Sequence, residues 1–205
     1  MRITAPAPEI MRTLQREAPG WAAPEGIRCE LLSYQLLALY LLARRYDRAG
    51  ARILEIGTGQ GGATFALSRA ARRAEVTTLE PDPERALAAS GNLRRARCGN
   101  VELVDQASWD YLQAHADTRW DLVWVDGDHN AIARDMPWFN WLTVGGLFLC
   151  HDYSPAESAR PSPVVYATLR RFAETLGRPP DVELVDETLT GMAGWYQREG
   201  ESWQG

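Results

Sequence analysis

The sequence predicts a doubly wound α/β fold with a seven-stranded, mainly parallel sheet that ends in a C-terminal antiparallel hairpin. Short apolar runs alternate with segments of helical length, a pattern typical of right-handed βαβ units and of a parallel sheet covered on both faces. The first apolar run leads directly into a glycine-rich turn, ILEIGTGQGGAT at residues 53–64. The last two runs are joined by a turn too short for a crossover helix, so we expect them to pair antiparallel.

Each element follows from its local pattern. A broad apolar stripe over residues 29–46, ending in Arg44 and Arg45 before Gly50, predicts the first long helix. The predicted strands are residues 51–56, 75–80, 100–105, 121–126, 145–152, 182–186 and 191–199. Helices are predicted at residues 61–73, 81–97, 108–116, 131–142 and 164–177.

Composition excludes several classes of function. The 205 residues include 22 Lys and Arg and 27 Asp and Glu, for a formal net charge of −5, and no basic block stands apart from the acids. A basic surface that binds the phosphates of a nucleic-acid backbone is therefore not expected, and neither is a nucleic-acid partner. All the basic residues are arginine, because the sequence contains no lysine. Reactions that require an amine, such as Schiff-base formation or a Walker lysine, are excluded.

The chain is predicted to form one main domain preceded by an arm. Residues 1–27 are expected to form an N-terminal arm or lid around one short helix, because the first 26 residues hold four prolines and six charged residues. Residues 28–205 are expected to form the domain, since an apolar content of 45% at this length suits a single well-buried core.

No segment predicts contact with a membrane. No stretch reaches the roughly 18 consecutive apolar residues of a membrane span, and the N-terminus has no apolar signal-peptide core. The three cysteines, Cys29, Cys98 and Cys150, include no C-x-x-C pair, which suits free thiols in a reducing compartment. We therefore expect a cytoplasmic protein. Its tryptophans include candidate interface residues, so a homodimer is left open.

The glycine turn fits two kinds of nucleotide site. Gly57, Gly59 and Gly62 match the G-x-G-x-x-G pattern of dinucleotide sites, whereas Gly57, Gly59 and Gly61 after Glu55 match E-x-G-x-G-x-G. A carboxylate at position 55 is unfavourable beside a pyrophosphate, but it is favourable beside the cationic amino and sulfonium groups of S-adenosylmethionine (AdoMet).

A second acid supports a nucleoside ligand of either kind. Glu80 closes the second predicted strand, where its carboxylate can accept two hydrogen bonds from a ribose diol. Glu55 and the terminal hairpin favour AdoMet. A nicotinamide oxidoreductase is the competing prediction.

The stretches LEIGTGQGG and TTLEPD resemble the first two motifs of class I AdoMet-dependent methyltransferases, and the resemblance extends over roughly residues 30–197. It implies a Rossmann-like methyltransferase fold. It also implies that AdoMet is the cofactor, held by Glu55, Gly57, Thr58, Gly59, Gly61 and Glu80.

One segment departs from the family pattern. The third strand of the family is often followed by Gly-Asp-Ala or Gly-Asp-Ser, whose Asp contacts the adenine, but this chain has Gln106, Ala107 and Ser108. Ala107 cannot make that bond. The adenine contact is therefore assigned to the backbone of this segment, to Asp105 or Ser108, or to stacking on Trp109.

Acids and histidines gather where two further predicted strands end. Asp126 ends the fourth strand, Asp128 and His129 follow it, and His151 and Asp152 end the fifth. Carboxyl ends of parallel strands line the ligand crevice of such a sheet, so Asp126 is also expected beside the methyl donor. Asp128 fits better as the cap of the following loop.

This cluster resembles the metal site of metal-dependent O-methyltransferases, from catechol-type enzymes to sugar enzymes of natural-product pathways. The resemblance implies Asp126, His151 and Asp152 as metal ligands. His151 departs from the usual carboxylate, and an imidazole suits a transition metal better than Mg²⁺. His151 as a residue supporting the ligands, or as a strand-end histidine without a function, stays open beside the metal.

His129 stands where catechol-type enzymes carry a catalytic lysine, as in some sugar O-methyltransferases. A neutral imidazole is a competent base for an acidified hydroxyl. We expect O-methylation of a small molecule, with His129 as base and Asp126 orienting the acceptor, and with a divalent cation such as Mg²⁺ as an optional aid. A metal-independent N- or carboxyl-methyltransferase and a module that binds AdoMet without turnover are the alternatives.

Overall fold

The computed structural model describes residues 1–157, 161–186 and 188–204, which form two compact units. One unit is Ala7–Ala107, and the other combines Met1–Pro6 with the described residues from Ser108 onward. The helices are α1 (Ala7–Gln15), α2 (Ser33–Ala43), α3 (Gly62–Ala70), α4 (Pro83–Arg95), α5 (Ser108–Ala114) and α6 (Pro163–Leu176). The strands are β1 (Arg2–Thr4), β2 (Arg52–Ile56), β3 (Glu75–Leu79), β4 (Val101–Val104), β5 (Trp120–Val125), β6 (Leu142–His151), β7 (Val182–Val185) and β8 (Gly191–Tyr196).

The 7–107 unit holds three parallel strands in the order β2-β3-β4. Its helix α2 is buried almost all round, as expected for a helix whose sequence is nearly all apolar. Helix α4 begins with Asp82 as cap, whose side chain accepts hydrogen bonds from the backbone N–H groups of Glu84 and Arg85. Such a cap stabilises a helix by about 1 kcal/mol, and Pro83 fits the first helical position because its missing N–H needs no partner there.

The second unit holds five strands in the order β1-β7-β8-β6-β5. Strand β8 pairs antiparallel with both β7 and β6, while β5 pairs parallel with β6 and β1 parallel with β7. Large aromatic side chains fill the core of this unit, and Trp124, Trp138 and Trp195 expose none of their surface. Trp138 packs edge-on against Trp120 with 6.2 Å between ring centroids, which is a core position.

The α/β class, the mainly parallel pairing and the C-terminal antiparallel hairpin are confirmed. Two details differ from the sequence prediction. The described residues form eight strands and not seven, because Arg2–Thr4 pairs with β7. The helix predicted at residues 131–142 is instead a pair of 3₁₀ helices, Ile132–Arg134 and Met136–Trp141. Pro137 explains this break, because proline has no N–H to donate to the carbonyl of Ala133, as an α-helix would require.

A third 3₁₀ helix, Arg44–Tyr46, extends the end of α2. Within the described ranges, every helix is too short or too polar to cross a membrane.

Candidate functional site

The backbone conformation of the glycine turn after β2 distinguishes between the two glycine patterns. Gly57, Gly59 and Gly61 all have positive φ, at 95°, 55° and 90°, a region that side chains rarely allow. Gly62 has no positive φ and is the first residue of α3, where a Cβ would lie 2.5 Å from the Cβ of Cys29. The three left-handed glycines are therefore those of E-x-G-x-G-x-G, while Gly62 is required by packing.

Two side chains from the following elements tether the turn. Glu80 is buried, and its two carboxylate oxygens accept the backbone N–H groups of Gly59 at 2.8 Å and Asp82 at 3.1 Å. The Asn92 side chain of α4 donates to the carbonyl oxygen of Gln60 at 2.8 Å. The predicted ribose acid thus also supports the loop, and Asn92 is a supporting residue that sequence reasoning did not identify.

Glu55 lies beneath the turn and not on its surface. Its side chain is fully buried, and its Oε2 accepts hydrogen bonds from the hydroxyls of Thr64 and Thr78. The Thr78 hydroxyl lies 2.6 Å from that of Thr58, inside the glycine turn. The carboxylate is therefore joined to the turn through hydroxyl groups.

The predicted adenine segment is divided between the two units. Gln106 is exposed and Ala107 half-buried at the end of the 7–107 unit, and Ser108 begins α5 in the other unit. The Ser108 hydroxyl donates to the carboxylate of Asp135. Burial raises the pKa of Asp135 to about 6, against the lowering effect of this hydrogen bond and together with the charge of Asp128.

The second unit brings the predicted acids and histidines together where β5 and β6 end. His151 is buried, and its Nδ1 lies 3.0 Å from Oδ1 of Asp126 and 3.4 Å from Oδ2 of Asp152. His129, 41% exposed at its side chain, places Nε2 2.6 Å from the same Asp152 oxygen. The four residues form a continuous chain of alternating acid and imidazole, here called the acid–histidine cluster.

The short distances in the acid–histidine cluster shift the pKa values of His151 and Asp152. Burial alone would lower the pKa of His151, but the charge and hydrogen bond of Asp126, together with those of Asp152, raise it to about 10. Burial would raise the pKa of Asp152, but the His151 hydrogen bond and the charges of both histidines hold it below its usual value. His151 is therefore a cation at neutral pH, between two carboxylates.

Asp152 is held in an unusual backbone conformation. Its φ of 56° lies in the left-handed region, which costs a non-glycine residue about 1–2 kcal/mol. Besides the histidines, the hydroxyl of Thr190 donates to Asp152 Oδ1 at 3.2 Å from the β7–β8 connection. The strand end is thus fixed so that the carboxylate meets both imidazoles.

Asp126, His129 and Asp152 also form a group suited to a metal ion, with one ligand atom from each lying within 4.8 Å of the others. Two carboxylates and one imidazole are a chemically reasonable donor set for a divalent transition metal. His151, also predicted as a ligand, directs Nδ1 to the acids, and its Nε2 is buried without a hydrogen-bond partner among the described residues.

A small open pocket adjoins the cluster. Asp126, His129 and His151 line it, together with Val125, Gly127, Asp128, Ile132, Asp135 and Val165. The apolar residues come from the end of β5, a 3₁₀ helix and α6. This arrangement provides a half-apolar recess beside a histidine that can accept a proton.

Comparison with known proteins relates the chain to methyltransferases. Residues 54–153 match a family model described as a methyltransferase domain. The structure also matches the O-methyltransferase from Bacillus cereus solved in complex with SAH, with a TM-score of 0.68, 20% identity, and coverage of 92% of this chain and 91% of that one. Residues 54–153 therefore carry a methyltransferase domain, and the chain has the fold of class I AdoMet-dependent methyltransferases.

Two further structures share the fold of this methyltransferase. A cofactor-bound protein from MTB, Rv0187, is 26% identical with a TM-score of 0.69, covering 94% of this chain and 91% of that one. The O-methyltransferase TomG from Streptomyces achromogenes, involved in tomaymycin synthesis and solved with SAM, is 22% identical with a TM-score of 0.67, covering 93% and 88%. No curated protein matches the sequence.

Proposed function

We propose that this methyltransferase transfers the methyl group of AdoMet to a hydroxyl oxygen of a small molecule of natural-product or sugar type. The observation that carries the proposal is the contact of 2.6 Å between His129 Nε2 and Asp152 Oδ2, at the edge of an open pocket. A half-exposed imidazole oriented by a carboxylate is a suitable general base for a hydroxyl. The names of the Bacillus cereus and TomG neighbours, both O-methyltransferases, support the same assignment.

The glycine turn is the proposed AdoMet site. Three left-handed glycines let the backbone approach a ligand closely, and we assign Glu80 to the ribose diol through its remaining acceptor sites. Thr58 and the backbone of Gln106 and Ala107 complete the proposed contacts. Neighbours solved with SAM or SAH support this cofactor.

In the proposed reaction, the acceptor oxygen attacks the methyl carbon in line with the carbon–sulfur bond. The oxygen–carbon bond forms as the carbon–sulfur bond breaks, the sulfonium becomes the neutral thioether of SAH, and the hydroxyl proton passes to His129. The hydrogen bond to Asp152 assigns the proton of the neutral ring to Nε2, so Nδ1 presents the free lone pair. Proton removal by a positioned base typically contributes about 10²–10⁴-fold to the rate.

A divalent cation would be held by Asp126, Asp152 and His129, and an imidazole bound to it through Nε2 would then not act as the base. When bound, it would polarise the acceptor hydroxyl and lower its pKa. A metal-independent reaction is the second candidate, and one observation favours it: His151 already supplies a buried positive charge between Asp126 and Asp152. Activity that survives extensive chelation would select the second candidate.

The direct test measures SAH and methylated product with a panel of hydroxylated acceptors. H129A should lower turnover by about 10²-fold or more and leave AdoMet affinity unchanged, because His129 is assigned to the acceptor proton. H115A is the matched control, since His115 bonds the backbone of Tyr111 in α5 and lies outside the cluster. Unchanged turnover in H129A would remove it as the base, and no SAH with any acceptor would favour a binding module.

A further inference from the structure

We propose that Glu55 is a positioning residue, which fixes the glycine turn through the hydroxyls of Thr78 and Thr58 and does not touch the cofactor. This inference rests on the proposed binding of AdoMet at the turn. It differs from direct attraction between the Glu55 carboxylate and the cationic groups of AdoMet, the role that the sequence suggested. Attraction to the sulfonium would favour AdoMet over SAH, which lacks that charge, whereas a positioning role favours both ligands equally.

The hydrogen bonds have a defined direction. Each threonine hydroxyl carries one proton, and Thr78 donates its own to Glu55 Oε2 at 2.6 Å. Thr58 must therefore donate in the 2.6 Å bond between the two hydroxyls. The relay runs from Thr58 in the turn, through Thr78 in β3, to Glu55 in β2.

Burial separates the carboxylate from the ligand side of the turn. Glu55 and Thr78 expose no surface, and Thr58 exposes only 4%. A buried carboxylate stays favourable only where hydrogen bonds satisfy it, and Thr64 and Thr78 both donate to its Oε2. The acid thus acts as the fixed end of a relay whose other end is the turn.

The relay ends in the glycine turn, at a point where the neighbouring residue types restrict the backbone least. Thr58 stands between Gly57 and Gly59, two glycines with positive φ and wide conformational freedom. The backbone N–H groups of Gly57 and Thr58 donate to the carbonyl of Leu79. The Thr58 hydroxyl adds the first of three successive side-chain tethers, followed by Glu80 on the N–H of Gly59 and Asn92 on the carbonyl of Gln60. A turn held in its binding conformation avoids the entropy cost of ordering on the ligand.

Three threonine variants isolate the relay. T58V and T78V keep the side-chain shape but remove one link each, and each should weaken binding of AdoMet and of SAH by about tenfold. T64V is the matched control, because it removes a hydroxyl from the same Glu55 oxygen without a link to the turn. T64V should lower the melting temperature about as much as T78V and leave both affinities near wild type.

Calorimetric titrations with AdoMet and SAH decide between the roles, and E55Q extends the test. A positioning role predicts an unchanged ratio of AdoMet to SAH affinity in T58V, T78V and E55Q, because SAH lacks only the methyl group and the sulfonium charge. A drop confined to AdoMet in E55Q, or equal affinities in T78V and T64V, would overturn the proposal. If E55Q does not fold, the threonine variants decide alone.

Hydrogen exchange provides a readout that needs no ligand. Amides of residues 57–61 in the free protein should exchange faster in T58V and T78V than in wild type, and T64V should not change them. Unchanged exchange in T58V and T78V would contradict the relay even if AdoMet proved not to bind. If wild-type protein binds neither AdoMet nor SAH but exchange changes as expected in T58V and T78V, only the proposed function is refuted, and the relay stands.

Discussion

His129 Nε2 lies 2.6 Å from Oδ2 of Asp152, a residue whose backbone is held at a φ of 56°. A carboxylate at this distance orients the imidazole and stabilises the imidazolium that forms when the ring accepts a proton. The same carboxylate is approached by His151 and Thr190, so its position is fixed from three sides. The pair is the chemical centre of the proposed reaction.

Replacing Asp152 with Asn should lower turnover by about 10²-fold or more, because the amide can neither stabilise the imidazolium nor fix the same tautomer. AdoMet affinity, measured by calorimetry, should stay near the wild-type value. D128N is the matched control on the loop after β5 that also carries His129, since the Asp128 Oδ1 that accepts the N–H of Asn130 would be replaced by an amide oxygen. Equal turnover in D152N and D128N would contradict the role of the pair.

Asp135 predicts a pH-dependent stability. Its pKa is raised to about 6 by burial, from 3.8, so ionisation is harder in the folded state than in the unfolded one. Folded-state stability from this group is therefore greatest below about pH 4 and decreases as pH rises to about 6, by an amount on the order of 3 kcal/mol. D135N, which keeps an acceptor for the Ser108 hydroxyl, should gain stability relative to wild type across that interval.

Urea unfolding of D135N and wild type at pH 4 and pH 7.5 measures this difference directly. The expected result is a larger advantage for D135N at pH 7.5 than at pH 4. A difference between the two proteins that is the same at both pH values would show that Asp135 is not ionising within this range.

Gly59 should be intolerant of a side chain for functional as well as conformational reasons. G59A forces alanine to a φ of 55°, at a cost of about 1–2 kcal/mol, and so disturbs the N–H that Glu80 accepts. G50A is a matched control with a φ of 78°, and in both glycines a Cβ would meet no atom within 4 Å. Both variants should melt at lower temperature, but only G59A should lose AdoMet affinity. Equal affinity in the two variants would contradict a binding role for the turn.

Metal selectivity tests the donor set of the acid–histidine cluster. With one imidazole among its ligands, the site should bind Mn²⁺ or Zn²⁺ more tightly than Mg²⁺, and D126N should weaken that binding. Calorimetric titration of each ion into wild type and D126N gives both comparisons. If D126N binds the ions as tightly as wild type does, the metal site lies elsewhere on the protein.

The sequence predicted much of the fold because its strands carry short-range signals. The apolar runs before Gly57 and Asp126 and the short link between β7 and β8 are readable without tertiary information. Strand β1 was not predicted, because three residues, Arg2–Thr4, are too few to show a hydrophobic period. Its pairing with β7 joins residues 181 positions apart in the chain.

The candidate site was predicted in part for the same reason. Residues at strand ends, such as Asp126 and Asp152, follow from the topology of a parallel sheet. The supporting contacts do not. Thr78 meets Thr58 across 20 residues, and Asn92 meets Gln60 across 32, and threonine and asparagine are common enough that no local pattern marks them. Packing of side chains between elements, and not periodicity, selects these pairs.

The most direct test of the central claim is calorimetric titration of the purified protein with AdoMet and SAH, with NADH as the control ligand. We predict saturable micromolar binding of AdoMet and SAH and no binding of NADH, because the left-handed glycines are those of E-x-G-x-G-x-G. Binding of NADH without AdoMet would contradict the assignment of the turn, and with it the proposed methyl transfer.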